Sequence, residues 1–167
     1  MQWFRVLRHL VLPHWLVLRA FPKSALAAIE RAIAASETSH QGELRFVVEA
    51  GLPLAEVLRG QLPRARAIAL FSQLRVWDTA HNNGVLIYLQ LVDRRVEIIA
   101  DRGIDAKVGH AFWRAVCRHM EQSFREGRFE TGALEALTEI TEVLTEHFPS
   151  ADATPTPNEL PDRPLVL

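Results

Sequence analysis

The 167-residue chain contains one cysteine, Cys117. A single thiol forms no intrachain disulfide and cannot build a cysteine-based zinc site or an iron–sulfur centre. A dominant charge is also missing: 19 Lys and Arg stand against 20 Asp and Glu, a formal net charge of −1. Nothing general therefore attracts nucleic acid or acidic lipid, and no nucleic-acid partner is expected. Long hydrophobic runs are absent too. The longest uncharged apolar piece, Leu10 to Leu18, is interrupted by Pro13 and His14 and falls short of the ~20 residues that span a bilayer. The chain has no P-loop, no Asp-x-Asp pair, no His-Glu-x-x-His helix and no Cys followed by Arg at phosphatase spacing. Ser72 and Ser123 fall in predicted helices, and neither is set beside a histidine in a pattern that would activate it.

What is present is ordinary globular composition, 49% hydrophobic and 23% charged, enough for one domain with a sizeable core. Three stretches are expected: an amino-terminal amphipathic segment over 1–22, an α/β/α domain over 23–148, and a disordered Pro-rich tail over 149–167. In the first stretch Trp3 and Trp15 alternate with Arg5, Arg8 and Arg19. That pattern fits a helix packed on the domain, the favoured reading, or membrane contact through residues 1–20. No small-residue cleavage pattern follows it, so the expected location is cytoplasmic or peripheral at the inner membrane face, with an extracytoplasmic one as the alternative.

Ser24 precedes apolar residues at helical spacing from Ala25 to Ile33, which predicts a capped helix ending near Ser36. Leu44, Phe46 and Val48 alternate in a strand closed by Gly51 and Pro53. A helix follows from Pro63 to Val76, with Ile68, Leu70, Phe71 and Leu74 directed at the sheet. Val85 to Leu91 and Val96 to Ala100 form a hairpin about Asp93-Arg94. Asp105 is read as the cap of a long helix that runs to Gly127, and a last helix runs from Thr131 to Phe148. These elements predict an α/β fold, an α/β/α sandwich around a small mixed β-sheet with a β-hairpin. The first strand lies parallel to the second through a right-handed crossover.

This topology brings the starts of the first two strands and the end of the third to one edge. Glu37, His40, Glu43, Asp78, His81, Asn82, Asn83, Asp101, Arg102 and Asp105 collect there. The carboxylates and side-chain amides suit a hard cation, Ca²⁺ or another divalent ion, with Asp78, Asn83, Asp101 and Asp105 as the leading ligands. Arg102 and the histidines would favour an anion beside it, and the two together would describe a metal-assisted phosphohydrolase. Asn82-Asn83-Gly84 supplies the turn into the strand, and Gly103 a second turn.

At these residues the chain resembles the TPM-domain family, founded on the thylakoid lumen protein of photosystem II repair. The resemblance covers about Ala28 to Phe148. It rests on the strand from Glu43 to Val48, on Asn83-Gly84-Val85-Leu86, on Asp93-Arg94-Arg95-Val96-Glu97-Ile98, on Gly103-Ile104-Asp105 and on the closing helices around Phe124 to Phe129. It implies an α/β/α sandwich, in some members with Ca²⁺ at the loop edge and in some with acid phosphatase activity. A membrane or envelope protein is the implied partner. Asn83, Gly84, Gly103 and Asp105 carry over most directly. Many relatives have a Gly-containing stretch where this chain has Arg75 to His81, and often a signal peptide and a Gly-rich or transmembrane carboxyl end, neither of which is evident here.

Overall fold

The structure is a computed structural model and describes His9 and residues 15–150 and 158–167. Among these residues the chain runs α1 (Trp15–Ala20), α2 (Lys23–Ser36), β1 (Leu44–Glu49), α3 (Leu54–Leu58), α4 (Pro63–Gln73), β2 (Val85–Gln90), β3 (Arg95–Ala100), α5 (Arg102–Val108), α6 (His110–Arg125), α7 (Phe129–His147) and β4 (Leu165–Val166). Every residue of β1 and β2 is buried, Arg45, Glu49 and Gln90 included, because each strand is covered on two faces. β1 pairs parallel with β2, Leu44 opposite Val85, and β2 pairs antiparallel with β3, Val85 opposite Ala100. The sheet order is β3-β2-β1-β4.

Helices cover both faces, giving the α/β/α sandwich expected from the pattern. On one face Phe46, Val48 and Ile87 meet Ile33 of α2, Met120 of α6 and Ile140 of α7. On the other, Val47, Leu86 and Tyr88 meet Ala67 and Leu70 of α4 together with Val76 and Leu160. A buried polar pin fastens α4 to the sheet. The Tyr88 hydroxyl donates to Glu49 Oε2 at 2.6 Å, and the Arg66 guanidinium grips both Glu49 oxygens at 2.8 and 3.2 Å, the two-pronged geometry that makes arginine the strong partner of a buried carboxylate.

Residues 15–21 pack on the domain. Val17 and Phe21 are fully buried, and the Phe21 ring meets Phe46, Phe124 and Phe129 edge-on at 5.7 to 6.1 Å between centroids. Burying such a side chain is worth roughly 1.5–3 kcal/mol. Trp3, Arg5 and Arg8 lie outside the described residues.

Several expectations are corrected. Ser24 is not a cap; Pro22 holds that position before α2. Ile68 faces solvent, 50% exposed, and Ala67 takes its place against the sheet. The short helix α3 has no counterpart in the sequence reading. The helix predicted to start at Asp105 is two helices: Asp101 caps α5 by accepting from Arg102 N at 2.7 Å, and Gly109 at φ 80° separates α5 from α6.

The largest correction concerns the disordered tail assigned to 149–167, of which 151–157 lie outside the described residues. Pro149 bridges to His40, and residues 158–167 pack on the outer edge of β1. Leu165 and Val166 pair parallel with Val47 and Val48, and Leu160 is 7% exposed. Both oxygens of Glu43 accept main-chain amides there, Glu159 N at 3.2 Å and Leu160 N at 3.1 Å. The Arg45 guanidinium donates to the Pro161 and Arg163 carbonyls. Proline excludes helix but not extended chain, and β1 supplies the hydrogen bonds that an isolated tail lacks.

Candidate functional site

The strand pairing places the start of β1, the start of β2 and the end of β3 side by side, so the predicted edge exists. Asp101 N donates to Gly84 O at 2.9 Å, Val85 N to Glu43 O at 2.8 Å and Gly103 N to Asn82 O at 2.8 Å. Gly84 and Gly103 serve close approach rather than an unusual φ. A Cβ on Gly84 would stand 1.9 Å from Val76 O, and one on Gly103 would stand 2.4 Å from Asn82 O. The left-handed residue of the turn is Asn82, at φ 52°.

The ten candidate side chains divide into separate groups on this edge. Asn83 is fully buried and donates Nδ2–H to Gln41 O at 2.9 Å, while its main-chain N–H goes to Thr79 Oγ1 at 3.2 Å. Its Oδ1 has no hydrogen-bond partner, and neither has Oδ2 of Asp101, which is 6% exposed. Such orphaned oxygens are costly. Asp78, His81, Asn82 and Arg102 are exposed around them. Asp105 is engaged elsewhere: its Oδ1 accepts Trp113 Nε1–H at 3.0 Å and lies 3.2 Å from His110 Nδ1.

Glu37 and Glu43 belong to the tail side of the edge. Glu37 Oε1 accepts Leu44 N at 3.0 Å. Burial, and secondarily the charges of Glu43 and Asp162, push its carboxyl up to about 8 against the opposing Leu44 bond. Burial also raises Glu43, against the two amides it accepts. Glu159 and Asp162, which reach this group from the packed carboxyl end, were missed by the sequence reading. A polar, proline-rich stretch carries no periodicity to announce them.

His40 lies apart, 1% exposed beneath α7. Its Nε2 is 2.7 Å from Ser36 Oγ, and Ser36 Oγ is 2.6 Å from Thr141 Oγ1. A serine at that distance from an imidazole looks like a nucleophile and its base, but the protons run the wrong way. Gly42 N–H donates to Nδ1 at 3.1 Å, so the neutral ring carries its proton on Nε2 and gives it to Ser36. Ser36 in turn donates to Thr141, whose hydroxyl donates to Leu137 O at 2.6 Å. A general base must accept at the nitrogen that faces the nucleophile. Burial holds His40 down at about 4, and the chain of bonds is a core pin.

Among the described residues no group of three or more His, Cys, Asp and Glu side chains could by itself hold a metal ion. No helix among them is long and apolar enough to cross a membrane. What the edge offers is two unsatisfied buried oxygens, an exposed carboxylate and loop carbonyls, all oxygen donors.

No curated protein matches the chain. Two solved structures are similar to it. The BA42 protein of the psychrophilic bacterium Bizionia argentinensis is 26% identical, with a TM-score of 0.74 over 86% of this chain and 93% of its own. The N-terminal domain of a P. gingivalis protein is 18% identical with a TM-score of 0.62, over 84% of this chain and 95% of its own, a likeness of fold. The family model of the TPM domain matches residues 19–143, three-quarters of the sequence, and the chain belongs to the TPM-domain family.

Proposed function

We propose that this protein is a binding module of the TPM family that takes up a divalent cation, Ca²⁺ foremost, at the loop edge and engages a membrane or envelope protein. The observation that carries the reading is the pair of buried, unpartnered oxygens, Asn83 Oδ1 and Asp101 Oδ2. A hard cation accepts irregular sets of carboxylate, amide and main-chain oxygens completed by water. Asp101 and Asn83 would supply the fixed oxygens, and Asp78 with the carbonyls of the 78–82 loop the remainder. Because carbonyls and water complete such a set, three clustered acids are not required. Asp105 is not counted among the ligands in this reading, because its Oδ1 is already engaged by Trp113 and His110. Contact with a membrane or envelope partner is supported by α1, where Trp15 and Leu18 are 53% and 48% exposed beside Arg19. A hydrolase finds less support. The Ser36–His40 pair is polarised the wrong way, and burial pushes the Cys117 thiol up to about 12, far from a reactive thiolate.

The test is calorimetry and thermal unfolding with and without Ca²⁺. At a hundredfold excess over Kd, binding to the folded state adds about 2.7 kcal/mol, or roughly 5–10 °C for a domain of this size. Asp101→Asn retains the cap acceptor for α5 and removes the charge, so it should fold and lose the increase. Absence of Ca²⁺, Mg²⁺ and Mn²⁺ binding at millimolar concentration sinks the proposal. Metal-stimulated hydrolysis of p-nitrophenyl phosphate that disappears in Asp101→Asn would replace it with the phosphohydrolase.

A further inference from the structure

The two outer edges of the sheet are treated differently. The β1 side is closed by β4, whereas β3 has no strand beyond it among the described residues. An open edge presents a row of main-chain donors and acceptors to any extended chain. Here three side chains occupy that row. Arg64 Nη1 of α4 donates to Ile98 O at 2.7 Å, Glu121 Oε1 of α6 accepts Val96 N–H at 3.4 Å, and the Cys117 sulfur of α6 accepts Ile98 N–H. Outward-pointing groups therefore fall on Val96 and Ile98, in the alternation an edge strand requires. Arg64 is half exposed and also lies 3.4 Å from Glu97 Oε2. The cleft above this edge, about 570 Å³, has α4 as one wall and α6 as the other.

Charge selects the occupant. Of the acids lining the cleft, Glu97 lies 3.4 Å from Arg64, Glu121 3.7 Å from Arg95 and Asp105 3.2 Å from His110. Arg114 and Arg118 line it too, both exposed, and no ion pair engages either among the described residues. Geometry sharpens the choice. Helix α6 runs antiparallel beside β3: Glu121 reaches Val96, and Cys117 sits at Ile98, so four helix residues advance with two strand residues. Four residues of helix rise about 6 Å, close to the roughly 6.6–6.8 Å between alternate side chains of a strand. Arg114 and Arg118 thus match acidic side chains two residues apart on one face of an added strand.

We propose that the outer edge of β3 is a docking site for an extended acidic segment of a partner protein, added to the sheet as a fifth strand between α4 and α6. Arg114 and Arg118 read acidic residues at positions i and i+2, and the incoming main chain displaces Arg64 from Ile98 O, Cys117 from Ile98 N–H and Glu121 from Val96 N–H. A second copy of this chain paired through β3 would set these arginines against their own duplicates, which disfavours that occupant. The site is independent of the cation edge, and either can fail without the other.

The test is fluorescence anisotropy of a labelled Thr-Val-Asp-Val-Asp-Val-Thr peptide against the full chain, with the lysine-for-aspartate peptide as control. The acidic peptide should saturate below millimolar protein, and the control should not. Arg114→Glu with Arg118→Glu lies on an exposed helix face, so it should keep the melting temperature and weaken binding about tenfold or more, the scale of two lost ion pairs turned repulsive. Amide signals of Val96 and Ile98 should gain exchange protection on binding. Failure to saturate, binding unchanged in the double variant, or protection appearing elsewhere each overturns the proposal. So does a dimer seen by sedimentation whose β3 amides are already protected without peptide, which would make a second copy the occupant.

Discussion

The buried imidazole of His40 makes a quantitative prediction about stability against pH. Its ring is held neutral at about 4 by burial, against an ordinary value of 6.5. Below pH 6.5 the unfolded chain binds a proton that the folded chain refuses, so stability is full above 6.5 and is lost as pH falls toward 4. Between pH 7.5 and 4.5 the loss from this group alone is roughly 2–3 kcal/mol. Glu37 works in the opposite direction. Its carboxyl is raised from 4.5 to about 8, so between those values the folded state retains a proton that the unfolded state releases, and stability falls as pH rises. The two opposing contributions overlap between pH 4.5 and 6.5, and the wild-type profile alone cannot separate them. His40→Gln can. Its amide oxygen accepts from Gly42 and its amide nitrogen donates to Ser36, reproducing both bonds without titrating. Urea unfolding of both proteins at pH 7.5 and 4.5 should show the wild type losing roughly 2–3 kcal/mol more than the variant, with the Glu37 contribution cancelling. Equal losses, or an NMR titration placing His40 near 6.5, would refute the reasoning.

Gly84→Ala should cost about 3 kcal/mol or more, at or above the upper end of ordinary overpacking, because its Cβ would fall 1.9 Å from the Val76 carbonyl; unfolding free energy checks it, and a change under 1 kcal/mol would show that the loop gives way freely. Deleting residues 158–167 should lower stability by about 1–3 kcal/mol, since it removes Leu160 from the core and opens the β1 edge. A loss below that range, measured by denaturant titration, would mean that the segment is only loosely held.

The strands, the hairpin and most helices are legible because their periodicity records which faces are covered. Leu44, Phe46 and Val48 line one face of β1 as predicted, and the parallel pairing of β1 with β2 follows from the helical crossover between them. Ile68 failed because its neighbour Ala67 is equally compatible with the helical stripe, and only docking chose between them. Asp105 failed because Asp101, four residues earlier, is an equally good cap; Gly109 then broke the helix that seemed continuous.

The candidate edge was legible as a place and not as a set of contacts. Topology fixes which loops share an edge, and it put Asn83 beside the Asp101 turn. It says nothing of rotamer or partner. His40 went to the core, Asp105 turned to Trp113, and Glu37 and Glu43 faced a carboxyl segment whose composition looked unstructured.

By itself the amino-acid sequence determined the fold class, the directions of β1, β2 and β3 and the family, because burial on one or two faces imposes a period that survives in the residues. Only the tertiary structure decided which polar groups are satisfied, which are stranded and which edge of the sheet stays open. Those outcomes depend on long-range partners. The carbonyls that Arg45 reaches lie at Pro161 and Arg163, and the Ile98 carbonyl finds its donor in Arg64, and no local pattern encodes a meeting of segments so far apart.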